Sequence, residues 1–293
     1  MDRYVAMRTF VRAVESGSFS AAARHLRVGQ PTVSKIIARL ESEIGVRLLM
    51  RSTRRLAPTE AGLAFYERAR RAIEEAQEAE AAARGAGAGL SGRLCVSAGV
   101  TFARIHVLPR IQRFLGAHPQ LTLDFVLDDR RTDLLADGID VALRLGDLAD
   151  SSLSARKLSS CARRVFGSAA YFSKAGEPRT PADLAAHEAI VYDQEDHENW
   201  AFRNGPTEVS VQLSGRIRVS AAEGVRSGVL AGLGIAVASE WMFGPELRTQ
   251  EVRAVLTDWN LPRVDLWAVY PSGRMPTAKA RAFAAFVETE LKS

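Results

Sequence analysis

The chain has 293 residues, room for two or three domains, and its 47% hydrophobic and 25% charged residues are those of a globular protein, which excludes a disordered chain. No apolar run approaches a bilayer span, and Met1-Asp2-Arg3-Tyr4 lacks an apolar signal core, so a cytoplasmic, non-membrane protein is expected. The formal net charge is +5, yet residues 1–60 alone hold eleven Lys/Arg against five Asp/Glu. The basic excess is therefore confined to one-fifth of the chain, as a phosphate-binding surface requires.

Asp2 suits the cap of a first helix running to about Ser16, with Met7, Phe10, Val11 and Val14 as its buried stripe. Phe19-Ser20 suits the start of a second, short helix, with Ser20 capping and Phe19 stapling the incoming chain; it must stop near Val28-Gly29. Pro31 then belongs in the first turn of a third helix, where its missing N–H costs nothing. Val33, Ile36, Ile37, Leu40 and Ile44 fall on its core face, leaving Gln30, Thr32, Ser34, Lys35 and Arg39 outward. Those outward types reach base edges and phosphates in a major groove. A helix pair alone is better read as a small helical hairpin with a solvated polar face, because short amphipathic helices are common. The apolar runs Val46–Met50 and Leu56–Pro58 around a basic turn shift the balance. They predict a hairpin wing, with Arg51, Arg54 and Arg55 placed for phosphate or minor-groove contact. Residues 1–58 thus read as a winged helix-turn-helix that binds double-stranded DNA through Ser20, Gln30, Pro31, Thr32, Ser34, Lys35, Arg39, Arg51, Arg54 and Arg55.

From Thr59, a cap, to about Arg84 the only Gly or Pro is Gly62, and a helix of that length spans about 39 Å. Tyr66, Ala69, Ile73, Ala76, Ala79 and Ala83 recur at spacings of three or four. That predicts a dimerising linker over residues 59–92, with Tyr66, Ala69 and Ile73 as its seam and an alanine-rich, thin second half. The bland alternative is a surface helix lying on its own domain. Gly85 to Gly92 reads as a flexible hinge.

Residues 93–293 alternate strands and helices, the mark of a largely parallel α/β sheet. Strands are expected at Arg93–Ala98, Leu121–Leu127, Ile139–Leu145, Arg163–Gly167, Ala189–Tyr192, Val209–Val219, Ile235–Ala238 and Val264–Tyr270. Helices are expected at Thr101–Ala117, briefly near Thr132–Leu135, at Ala221–Ala231 and at Pro276–Leu291. The acidic run Asp193, Glu195, Asp196, His197, Glu198 lacks a calcium-loop pattern and reads as a solvated loop.

The motif Phe19-Ser20-Ala21-Ala22-Ala23, with Leu26, Gln30-Pro31-Thr32-Val33-Ser34-Lys35, Ile37, Leu40-Glu41, Ile44-Gly45-Val46, Leu48-Leu49, Arg51, Arg54-Arg55-Leu56 and Thr59-Glu60-Ala61-Gly62, resembles the LysR-type transcriptional regulators. Two positions depart: Gly29 stands where the family usually has Ser or Thr, which weakens the cap of the third helix, and Met50 replaces an acidic or aromatic residue. The resemblance continues in Leu127-x-Asp129-Arg130-Arg131-x-Asp133-Leu134, Gly138–Arg144, Gly232–Ala236 and Arg281-Ala282-Phe283, and so covers essentially the whole chain. It implies a periplasmic-binding-protein-like effector part, with lobe 1 at about residues 93–161 and 266–293 and lobe 2 at about 162–265. The crossovers would lie near Cys161 and Asp265. It further implies a homodimer or homotetramer on an interrupted palindrome, working with the transcription machinery. Some relatives sense peroxide through two cysteines, but Cys95 and Cys161 sit in or beside strands and read as buried structural thiols.

No nucleophile elbow, phosphate loop, dinucleotide fingerprint or metal-ligand spacing is present, so neither an enzyme, a cofactor nor a metal is expected. Ligands of α/β sheets sit beyond the C-terminal strand ends, where helix N-termini offer free amides. That singles out Thr101, Phe102, Arg144, Ser168 and Ser220 for a small, carboxylate-bearing effector. For Thr101 and Ser220, plain helix capping explains the residue as well. The function expected is a regulator whose operator binding or activation answers to that effector. A sequence-tolerant architectural DNA binder is the alternative, disfavoured by a large two-lobed part that packaging DNA does not need.

Overall fold

The computed structural model describes residues 2–51, 56–84, 89–130, 133–148, 154–193, 199–271 and 275–292. They fall into two compact units, Met1–Gly89 and Leu90–Ser293.

The first unit opens with α1 (Arg3–Ser16), whose N-cap Asp2 accepts hydrogen bonds from the amides of Tyr4 and Val5, and which Gly17 ends at φ +59°. Helix α2 (Phe19–Leu26) is capped by Ser18, not Ser20: Ser18 has the extended backbone a cap needs and accepts from the Ala21 amide, which leaves Ser20 exposed in the first turn. Arg27, in the left-handed region, turns the chain into α3 (Gln30–Ile44), which Gly29 starts without any side-chain cap. Strands β1 (Leu49–Arg51) and β2 (Leu56–Pro58) pair antiparallel, Leu49 opposite Pro58, as the wing. Helix α4 (Glu60–Arg84) follows, its first turn capped by Thr59 Oγ1, which accepts from the Gly62 amide.

One apolar core ties these helices together, built on Phe10, Val33, Ile37, Leu40 and Leu48. Ala69 and Ile73 belong to it, with Tyr66 packed against it, and Phe65 meets Phe10 edge-on at 5.2 Å. The Tyr66 hydroxyl reaches Glu15 on α1 at 3.5 Å. Of the stripe expected to be a seam between copies, Ala69 and Ile73 are therefore buried within the chain and Tyr66 is half-buried. Helix α1 carries its own apolar face beside α4, and burying two stripes against each other takes precedence over leaving one open.

The second unit begins with β3 (Ser91–Ala98), buried without a break from Leu94 as befits a central strand covered on both faces. The expected helix over 101–117 is not uniform. A turn of α5 (Val100–Phe102) passes into a π-helical turn (Ala103–Val107), a 3-10 turn (Leu108–Arg110) and α6 (Ile111–Ala117). Pro109 has no N–H to give the preceding turn, and the Arg110 guanidinium bonds the carbonyls of Ile105 and His106 instead. Strand β4 (Gln120–Leu127) lies parallel to β3, as does β5 (Val141–Leu145) on its other side. The short helix expected near Thr132–Leu135 is, in its described part, a turn capped by the Asp133 carboxylate; Thr132 lies outside the described residues.

Strand β6 (Ser154–Cys161) leads through Ala162 into β7 (Arg163–Ser168) and the second lobe. There α7 (Ala169–Ala175), β8 (Ile190–Tyr192), β9 (Asn199–Asn204), β10 (Thr207–Gln212), β11 (Ile217–Val219), α8 (Ala222–Leu230), β12 (Ile235–Ser239), α9 (Gly244–Thr249) and β13 (Val252–Val255) follow in order. The long strand expected over Val209–Val219 is two strands serving different partners: β10 forms a hairpin with β9, and β11 pairs parallel with β8. Between them Gly215 passes so close to Ala189 that a Cβ would stand 1.7 Å from its carbonyl oxygen. The expectation of a largely parallel sheet also fails here, because β7 is flanked antiparallel by β12 and β13. The chain returns through β14 (Val264–Tyr270), antiparallel between β5 and β6, and closes with α10 (Ala278–Glu290), whose Phe283 meets Phe114 edge-on at 5.5 Å. Gly85 to Ala88 of the hinge and Glu195, Asp196, His197 and Glu198 of the acidic run lie outside the described residues.

Candidate DNA-binding face and interlobe cleft

Helix α3 buries Val33, Ile37 and Leu40 and leaves Gln30, Pro31, Thr32, Lys35 and Arg39 exposed, with Ser34 half-buried. Lys35 has no ion-pair partner among the described residues, whereas Arg39 is held by Glu43 at 3.0 Å, and Glu43 also receives Arg3 at 3.3 Å. The hydrogen bond from Arg39 holds the Glu43 carboxyl below its ordinary value. That pair is exposed and weak, so Arg39 can leave it for a phosphate at little cost. The gap left by Gly29 keeps the first amides of α3 without a side-chain partner. Arg54 and Arg55, at the wing turn, lie outside the described residues, as does the side chain of Arg51.

Sequence reasoning missed how the wing is fixed to α3. Glu41 Oε1 accepts from the amides of both Leu48 and Leu49, at 2.8 and 2.9 Å, and Thr59 bonds back to Arg47 and Leu48. Glu41 stands in the motif beside Leu40, but a carboxylate on a helix reads locally as a solvated one.

In the second unit the lobes meet at the C-terminal ends of β3 and β4. Gly99 and Ala221 are the N-caps of α5 and α8, and neither offers a side-chain bond. Asp129 serves both helices: its Oδ1 accepts from the Val100 amide at 3.1 Å and its Oδ2 from the Ala222 amide at 2.8 Å. The loop is steadied by Asp128, whose amide continues the pairing to Ala98 and whose carboxylate accepts from the Arg130 amide. Beside it Glu223, in the first turn of α8, accepts from Thr101 Oγ1 at 2.9 Å and from Arg104 at 3.1 Å on both oxygens. Arg226 stands 3.7 Å from Glu223 and also pairs with Glu246. His106 Nε2 lies 2.7 Å from the Trp241 carbonyl, and burial pushes its pKa below the ordinary value, which suits a neutral ring donating from Nε2.

Of the residues singled out for an effector, Thr101 is buried and donates to Glu223. Phe102 is 4% exposed in the lobe 1 core, stacked on His106 at 5.1 Å. Arg144 donates to the Arg130 carbonyl at 3.0 Å. Ser168, 3% exposed, caps α7 through the Tyr171 amide. Ser220 is exposed and leaves the cap position to Ala221. Thr101 and Ser220 thus do not supply the side-chain caps considered for them, because Asp129, brought from β4, takes that place. Cys95 and Cys161 are buried and form no disulfide, and burial pushes the Cys161 thiol up. Among the described residues no helix is long and apolar enough to cross a membrane, and no group of three or more His, Cys, Asp or Glu could hold a metal ion.

Residues 5–63 match the family described as "Bacterial regulatory helix-turn-helix protein, lysR family", and residues 87–292 match "LysR substrate binding domain". An HTH-type transcriptional regulator of Xanthomonas campestris pv. campestris is 34% identical over 96% of this chain and 83% of its own length. An HTH-type transcriptional repressor of Pseudomonas aeruginosa is 32% identical over 98% of this chain and 92% of its own. Among solved structures, CrgA of Neisseria meningitidis, a LysR-type transcriptional regulator, superposes with TM-score 0.65 at 30% identity, covering 99% of each chain.

Proposed function

The chain belongs to the LysR family of transcriptional regulators, and from that premise we propose that it binds an interrupted palindromic operator as a homo-oligomer in the cytoplasm. Its output to the transcription machinery is set by a small-molecule effector between the lobes, and it carries no catalytic activity of its own. The exposed polar face of α3, anchored by Val33, Ile37 and Leu40, carries this reading. Gln30, Pro31, Thr32, Ser34, Lys35 and Arg39 enter the major groove, with Ser20 at the adjoining backbone and Arg51, Arg54 and Arg55 of the wing on phosphates. One such helix reads one half-site, so a second copy at fixed spacing supplies the rest of the discrimination.

Lys35→Ala is expected to weaken operator binding by about 1–3 kcal/mol at low salt and to relax sequence preference, because an exposed Lys at this point reads a base edge. Fluorescence-anisotropy titration on the operator and a scrambled duplex checks it; unchanged affinity and preference would refute the assignment. Arg54→Ala and Arg55→Ala are expected to lower affinity for all sequences alike and to reduce the salt slope by roughly one counterion each. A slope equal to that of the unsubstituted protein would mean that the wing does not touch the backbone.

The effector site proposed is the cleft around Thr101, Phe102, Arg144, Ser168 and Ser220. The convergence of the Val100 and Ala222 amides, Thr101 and Arg104 favours an effector bearing a carboxylate. A metabolite screen by thermal shift on the full chain tests it: stabilisation by a carboxylate, lost in Thr101→Ala, is expected.

A further inference from the structure

The donors that suit an anionic effector already hold anions belonging to the chain itself. We propose that Asp129 is a tethered occupant of the interlobe anion position: it holds the two lobes closed in the absence of effector, and an anionic effector has to displace it. This rests on the cleft as the effector site.

Geometry carries the proposal. Val100 and Ala222 are the first residues of helical segments from different lobes, and first-turn amides have no partner inside their own helix. Their N-caps, Gly99 and Ala221, provide no side-chain bond, so one carboxylate, split between Oδ1 and Oδ2, satisfies both. It sits at the positive ends of both segments, where an anion is favoured. Asp129 itself is held by the register of β4 on β3 and by the Asp128 turn. The fit is tight: a Cβ on Gly99 would stand 3.0 Å from Oδ1. Glu223 strengthens the closure from the other side, taking the Thr101 hydroxyl and the Arg104 guanidinium across the same boundary.

A tethered carboxylate meets these amides at an effective concentration far above that of a free metabolite, so a simple monocarboxylate does not dislodge it. An effector succeeds only by adding contacts that the Asp129 side chain cannot make, and the difference between the two occupants is what shifts the lobes. Asp129 thereby sets both the resting state and the threshold of the response.

The test is hydrogen-exchange mass spectrometry on the full chain, following the Val100 and Ala222 amides with tens of millimolar sodium acetate, or sodium chloride at equal ionic strength. Both amides should be protected in the unsubstituted protein, with acetate adding nothing. In Asp129→Ala both should exchange at least roughly tenfold faster, and acetate, but not chloride, should restore protection. Adding Ala222→Pro to that variant removes one donor while keeping α8, since proline is tolerated at a first helical position and Ala221 is already extended. It should abolish the acetate effect. If Asp129→Ala does not fold, Asp129→Asn keeps the volume, and its single carbonyl oxygen should leave one of the two amides exchanging fast. Unchanged protection in the Asp129 variants, or acetate acting alike with and without Asp129, would overturn the proposal. A cleft that binds no metabolite would overturn the effector reading alone and leave the exchange result standing.

Discussion

Gly62→Ala is expected to destabilise the N-terminal unit by roughly 3 kcal/mol and to abolish operator binding at moderate temperature. A Cβ at this position would stand 1.9 Å from the Leu48 carbonyl oxygen and 2.9 Å from its carbon. Neither side can yield cheaply. The Leu48 carbonyl accepts from the Thr59 amide at 2.9 Å, while the Leu48 amide is held by Glu41 at 2.8 Å. On the other side the Gly62 amide is engaged by Thr59 Oγ1, and the Thr59 hydroxyl donates to the Arg47 carbonyl. Making room for one methyl group therefore pulls the wing away from α4 and loosens the Glu41 link to α3. Overpacking usually costs about 1–3 kcal/mol, and an unyielding backbone neighbour places this case at the upper end. For a unit of this size that lowers the melting temperature by roughly 10 °C or more. Circular-dichroism melting beside a gel shift checks the result, and an unaltered melting curve would show that the two backbones are not packed so closely.

Ile73→Glu carries the second large effect, and the structure changes what it means. The spacing of Tyr66, Ala69 and Ile73 alone points to a contact between copies, so a charge there should separate them and leave each domain folded. Ile73 is instead 9% exposed within the core shared with α1, next to Ala69 at 1%. A glutamate at this site must enter an apolar contact as an anion or take up a proton, and either course costs about 3 kcal/mol or more. The expected result is a lowered melting temperature of the N-terminal unit, with loss of operator binding because α3 loses the platform beneath it. The loss should ease at acid pH: burial raises the pKa of the new carboxyl, so the penalty is full well above that pKa and shrinks as falling pH protonates it. Melting curves beside sedimentation separate the two meanings. A variant that melts like the unsubstituted protein but no longer self-associates would return Ile73 to the interface between copies.

The parts of this fold that local chemistry governs were legible in the amino-acid sequence. Asp2, Pro31 and Thr59 mark helix starts because capping and the fixed φ of proline act within a few residues. Strand β14 occupies the expected Val264–Tyr270, where apolar residues run without a break from Leu266. The outward set of α3 follows from helical periodicity, since its apolar residues can be buried on one face only. The charge imbalance of residues 1–60 needed no structure at all.

Tertiary structure alone decided which group arrives from a distance. Periodicity shows that the α4 stripe is buried but not against what, and α1, some fifty residues earlier, supplies the answer through Phe10 and Glu15. Val209–Val219 reads as one strand because every residue in it tolerates extended backbone. Its division follows from β9 claiming one half and β8 the other. The cleft shows the same limit most sharply. Thr101 and Ser220 stand where local rules put a cap, yet the bonds come from Asp129, 29 residues from Val100 and 93 from Ala222. An amide at a helix start donates to any anion that reaches it, so the sequence of the helix determines that a partner is needed, and only the folded chain determines which one comes.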